Sequence, residues 1–132
     1  MIYIVINFMP IFLATLAGIA VSAAFYRTRL VGGSPSAGLL GLSVTAFLAE
    51  FWLCSILAGA LILAPPKAGA WMMALGSAYI IWVGFLVPAL ILTMRLRGQP
   101  WRVVAFDCGH WLVVMLVQAI VLKSIGLIAP PV

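Results

Sequence analysis

Acidic side chains are almost missing from this chain: Glu50 and Asp107 are the two carboxylates among 132 residues, set against seven Lys and Arg and a single His. Charged residues make up 7% of the sequence, too few to cover the surface of a soluble globular domain. Cysteine is scarce as well. Cys54 and Cys108 both fall inside apolar stretches, so they read as small packing residues and imply no disulfide framework. No G-x-S-x-G elbow, P-loop, H-E-x-x-H or closely spaced carboxylate pair occurs, and a conventional enzyme is not expected. A metal site is not expected either, because Cys108 points to a different helix face from His110 and the chain has no second His. No cofactor follows from these residues.

What the chain has in abundance is apolar sequence, 67% of all residues, with a mean hydropathy of +1.32. Four continuous runs, about 2–25, 37–64, 68–94 and 103–127, each exceed the ~20 residues needed to cross the hydrocarbon core of a bilayer. They leave only short connectors, so residues 1–132 read as one membrane domain: an all-α, polytopic integral membrane four-helix bundle. The first run has no basic segment ahead of it and is too long for a secretory signal, so it reads as a retained helix. Turn residues separate the runs: V-G-G-S-P-S, A-P-P-K-A-G and R-G-Q-P-W, with Pro35 and Pro100 at helix entrances and Ser34 placed to cap the second helix.

Arg27 and Arg29 lie in the first connector and Arg95, Arg97 and Arg102 around the third, whereas Lys67 stands alone in the second and Lys123 lies near the C-terminus. The positive-inside rule therefore puts the first and third connectors in the cytoplasm and both termini on the outer side. The same five arginines are the expected contacts for anionic lipid headgroups. Nucleic acid is not an expected partner, since these cations are confined to two membrane turns. Tyr26, Trp71 and Trp101 fall at span ends, as interfacial anchors do. The turns after the first and third helices share R-x-R, Gly and Pro, an echo that convergence of cytoplasmic turns explains better than an internal repeat.

Glu50 sits near the middle of the second run, where a charged carboxyl facing lipid costs ~3 kcal/mol and so needs a partner, a proton or a cavity. Small residues accompany it. Ala46, Glu50, Cys54 and Ala58 form one four-residue ridge, with Ala49 beside it, and Ala14, Gly18 and Ser22 form another on the first helix. Glu50 is thus expected on a packing face, either as interhelical glue or as a binding group. The fourth helix opens with F-D-C-G-H-W, in which Asp107 and His110 share a face and Gly109 admits a neighbouring helix. At ~1.5 Å per residue, His110 lies ~12 Å and Glu50 ~20 Å from the cytoplasmic end, so a proton path from Asp107 through His110 to Glu50 is geometrically open. Alternatively, Asp107 serves the helix dipole against Arg102 while His110 is a hydrogen-bonded core residue. Gln118, ~12 Å beyond His110, is placed to donate to Glu50. Asn7 and Lys123 fall near the outer surface, and Pro88 predicts a kink in the third helix by freeing the Gly84 carbonyl.

Asn7 early in the first helix, Phe25 and Tyr26 at its end, and the opening of the fourth helix from Asp107 to Trp111 together resemble a four-helix bacterial membrane family, domain of unknown function seventeen-sixty-one. The resemblance covers nearly the whole chain. It implies a fold and a bacterial inner membrane location, and brings no activity, substrate or cofactor. The family's usual Trp-Tyr and Asn-x-Gly-Tyr are replaced here at Phe25, Asp107 and His110. Two functional readings remain. One is a small proton- or cation-linked transporter or channel-like protein using Glu50, as a homodimer because four helices enclose little space; it predicts a polar pocket at Glu50. The other is an accessory or structural subunit of a larger membrane complex, with a pigment or haem contact at His110; it predicts a dry, sealed bundle.

Overall fold

The computed structural model describes residues 1–27 and 38–131, apart from the Leu39 side chain. Arg29, Ser34 and Pro35 lie outside the described residues, and with them the expected cap of the second span. Among the described residues the chain is helical without strands, and four segments are long and apolar enough to cross a membrane.

The first span is not the single helix expected over 2–25. It divides into α1 (Ile2–Ile6) and α2 (Phe8–Phe25), with Asn7 between them at φ −103°, ψ 25°. Pro10 lies three residues on and has no N–H for the Ile6 carbonyl, whereas the Asn7 and Ile11 N–H groups keep their helical bonds to Tyr3 and Asn7 at 3.0 and 3.1 Å. The Asn7 amide Nδ2 donates to the Tyr3 carbonyl at 2.9 Å and to the Ile128 carbonyl at 2.8 Å, while its Oδ1 accepts from the Ile128 N–H at 2.7 Å. Asn7 is buried, and it ties the C-terminal tail to the first span.

The second span is α3 (Gly38–Leu63). Tyr3 reaches it from α1, donating to the Ser55 carbonyl at 3.2 Å. Its ring lies across Gly59, where a Cβ would come within 3.1 Å of the hydroxyl. The third span runs as α4 (Ala70–Ile81), a π-helical turn (Trp82–Leu86) and α5 (Val87–Leu96). Pro88, in the first turn of α5, offers no N–H, and the chain absorbs it by widening the preceding turn, where Val87 donates to the Trp82 carbonyl. The fourth span, α6 (Trp101–Ile125), begins two residues before the expected start, with Pro100 as its N-cap.

α6 packs on α2, α3 and all three parts of the third span, so it runs through the middle of the bundle. The core between these helices is apolar toward the termini-bearing end: Ile11, Leu57, Ala58, Met115, Ala119 and Leu122 are fully buried. The outward faces are apolar too, with Leu40, Leu48, Phe85 and Leu92 each more than half exposed, as lipid-facing residues are. The ridge on α2 is confirmed at Ala14 and Gly18, which are buried against neighbouring helices. On α3, Cys54 and Ala58 are buried while Ala49 is exposed, so Ala49 lies outside the ridge. Gly109 does not admit a helix, since a Cβ there would meet nothing within 4 Å.

Candidate functional site

α2, α3 and α6 bring their polar residues into one column. Glu50, midway along α3, points between α2 and α6 and is 2% exposed. The Ser22 hydroxyl on α2 donates to Glu50 Oε1 at 2.6 Å. That same hydroxyl lies 2.8 Å from His110 Nε2 on α6, so one serine joins the acid to the imidazole. The serine bond is unusual in this chain. Thr15, Thr45, Ser55 and Ser77 all turn their hydroxyls back onto the carbonyl four residues earlier on their own helices, and Ser22 instead bridges two others.

The His110 ring is held on three sides, with centroid distances of 4.9 Å to Tyr26, 5.3 Å to Phe25 and 5.0 Å to Trp111. Tyr26 turns its hydroxyl to Asp107 and donates to Oδ1. Two expectations are corrected by this contact. Tyr26 packs inward against α6 and is not purely an interfacial anchor, because its hydroxyl finds a buried-side acceptor. Asp107 lies beyond the first turn of α6, so the dipole of that helix does not account for it, and its partner is Tyr26 rather than Arg102.

Gly18 makes room for the deep end of the column. A Cβ at this position would collide with Glu50 Oε2 and come within 2.6 Å of Gln118 Nε2. Glu50 and Gln118 therefore converge on the same gap across from α2, although no hydrogen bond joins them. Four buried polar atoms here have no protein partner: Glu50 Oε2, both amide atoms of Gln118, and His110 Nδ1. Unpaired polar groups are expensive in a bilayer interior, which makes this cluster the candidate site. Beyond Gln118 the column ends at the apolar core of Ile11, Leu57 and Leu122.

Of the sequence-predicted residues, Glu50, His110, Asp107 and Gln118 all fall on this column. Ser22, Gly18 and Tyr26 complete it, and Ser22 was the residue the sequence did not single out as a link. Glu50 and His110 line none of three cavities found among the described residues. The cavity nearest the column opens at its other end, on Tyr26 and Asp107. Among the described residues no three His, Cys, Asp or Glu side chains gather as metal ligands. Arg27, Arg95, Arg97 and Arg102 are exposed at the same end of the bundle, with Arg95 stacked 4.7 Å above the Trp101 ring and bonded to the Gln99 carbonyl. No protein-family model, curated protein or solved structure matches this chain.

Proposed function

We propose that this chain is a small proton-linked membrane protein in which Glu50 is the proton-holding group, reached from the arginine-bearing end through His110 and Ser22. The observation that carries this reading is the bridging serine, 2.6 Å from Glu50 and 2.8 Å from His110. Such a triad has two proton arrangements with the heavy atoms in place. With Glu50 ionised, Ser22 donates to it and accepts from the Nε2–H of His110. With Glu50 protonated, the acid donates to Ser22, whose own proton points to an unprotonated Nε2. A proton arriving at His110 Nδ1 thus leaves the imidazole from Nε2, crosses Ser22 and ends on Glu50, and every group keeps its valence. Asp107 and Tyr26 stand at the entrance of this route, and the apolar core beyond Gln118 closes the opposite side. Access from one side at a time is what a coupled transporter requires.

The expected orientation belongs to the same proposal: arginine-bearing connectors in the cytoplasm, both termini outside, and a bacterial inner membrane as the setting. The family resemblance belongs to the proposal too; the positions that carry it are neighbours in space, with Tyr26 bonding Asp107 and packing on His110. The test is proton uptake and release by purified protein in detergent, read with a pH dye while candidate cations and hydrophobic amines are added. Wild type releases protons and Glu50→Gln does not; equal traces from the two proteins overturn the proposal.

A second reading rests on the third span, in which 6% of the most apolar window is buried against 33% in the fourth. Such exposure suits a subunit that packs on a larger membrane complex or on a second copy. It is tested by cross-linking in native membranes from Phe85 or Leu92, which places a protein neighbour on that face or finds only lipid.

A further inference from the structure

The largest of the described cavities, about 700 Å³, lies between the end of α2, α5 and the start of α6. It exists because the third span packs on α6 and α3 but makes no comparable contact with α2, so the two helices part at the arginine-bearing end. Its volume is in the range of small-molecule sites, roughly 300–1,000 Å³. Its wall is graded along the membrane normal. Arg97 and Gln99 form the rim, whereas Leu90 and Ala89 lie about two turns deeper, ~10 Å toward the bilayer centre, with Asp107 at a similar depth on α6 and turned to Tyr26. Phe25, Val103 and Phe106 line the flanks.

We infer that this cavity seats one anionic phospholipid of the adjoining leaflet, its phosphate at Arg97 and the upper part of an acyl chain against Leu90, Phe25 and Phe106. The gradient from charged rim to largely apolar floor matches the axis of a lipid in its leaflet. Charge selects the sign: Arg27, Arg95, Arg97 and Arg102 surround this end, against one carboxylate among the described residues, Asp107, which lies deeper and accepts from Tyr26. Arg95 is occupied by Trp101 and the Gln99 carbonyl, which leaves Arg97 as the cation on the cavity itself. This is more specific than the diffuse attraction of a basic membrane turn for anionic lipid, because it requires a chain-shaped floor as well as a charge. The inference does not depend on the proton route, although the cavity also opens on Asp107 and Tyr26 at its entrance.

The experiment is native mass spectrometry of the full chain in delipidated micelles, titrated with long-chain phosphatidylglycerol or phosphatidylcholine. One phosphatidylglycerol is expected to persist at collision energies that strip phosphatidylcholine. Arg97→Gln lowers its retention about tenfold, and Arg102→Gln, outside the cavity, leaves it unchanged. Ala89→Phe fills the floor and lowers retention with the arginine intact; Val103→Met is the milder filling if that variant does not fold. Excess glycerol phosphate does not displace the lipid, which separates a seated lipid from a phosphate site. Equal retention of the two lipids overturns the inference, as does equal loss from Arg97→Gln and Arg102→Gln or displacement by glycerol phosphate.

Discussion

Ser22 is the residue on which the site turns. Its hydroxyl is the common partner of Glu50 and His110, so Ser22→Ala leaves two buried groups unpaired, and each such loss costs about 1–3 kcal/mol. A lower unfolding midpoint in detergent is expected, together with loss of proton release, whereas Glu50→Gln keeps the serine bond and loses proton release alone. Gly18 is constrained in a different way. Gly18→Ala pushes a methyl into Glu50 and Gln118, and overpacking of this kind costs about 1–3 kcal/mol. Because the clash is shared, Gln118→Ala in the same chain should recover part of the loss, and a double-mutant cycle reads the coupling directly; simple additivity would falsify the shared gap. Glu50, Asp107, His110 and Gln118 were visible in the sequence because polar side chains stand out in apolar runs. Ser22 was not, since a hydroxyl in a membrane helix ordinarily bonds its own backbone, as four others here do.

At the scale of elements, length and hydropathy locate the spans to within a few residues, but the breaks inside them come from single side chains. Pro10 interrupts the first span, and at the break Asn7 takes Ile128 as a partner across 121 positions of sequence. No local pattern announces a bond to a tail so distant. Asn7→Leu is expected to free the segment from Gly126 to Pro131 and to cost about 1–3 kcal/mol. Faster amide exchange at Ile128, with α6 unaffected, is the signature to look for. Pro88 did announce a disturbance, and the structure resolves it as a wider turn from Trp82 to Leu86. The same turn carries Trp82, whose indole N–H donates to the Cys108 carbonyl at 2.8 Å and pins the third span to α6. Trp82→Phe keeps an aromatic ring, smaller than the indole, and removes this bond, which by itself is a loss of about 1 kcal/mol. Its effect should appear as increased exchange in α4 and α5, with α2 unchanged.

The whole molecule is organised by what a bilayer rewards. Lipid tails are as apolar as the core, so burial of Leu and Ile does not by itself drive these helices together; close packing at small residues and interhelical hydrogen bonds do. That is why the tightest packing gathers around Gly18, Ala14 and Ala58, and why the polar column runs along the same seam. Orientation is a property of the entire chain, set by the balance of Lys and Arg between connectors. A phosphatase fused after Pro131 should be active outside the cytoplasm, and one fused after Arg97 inactive. The opposite pair of results inverts the proton route as well, placing Asp107 and Arg97 on the outer side.

Composition and hydropathy alone settled the class, the number of spans and the polar residues that had to find partners, because the hydrocarbon core imposes span length and penalises every unpaired polar group. Which of those residues meet was decided only by tertiary structure. Helical periodicity places Glu50, Ser22 and His110 on faces of three separate helices, and nothing in it says that α6 runs between the others or how far each slides along its axis. Those choices come from packing at Gly18 and from the bonds of Ser22 and Trp82. The same packing left α2 and α5 apart, and so made the cavity at Arg97 that no linear pattern contains.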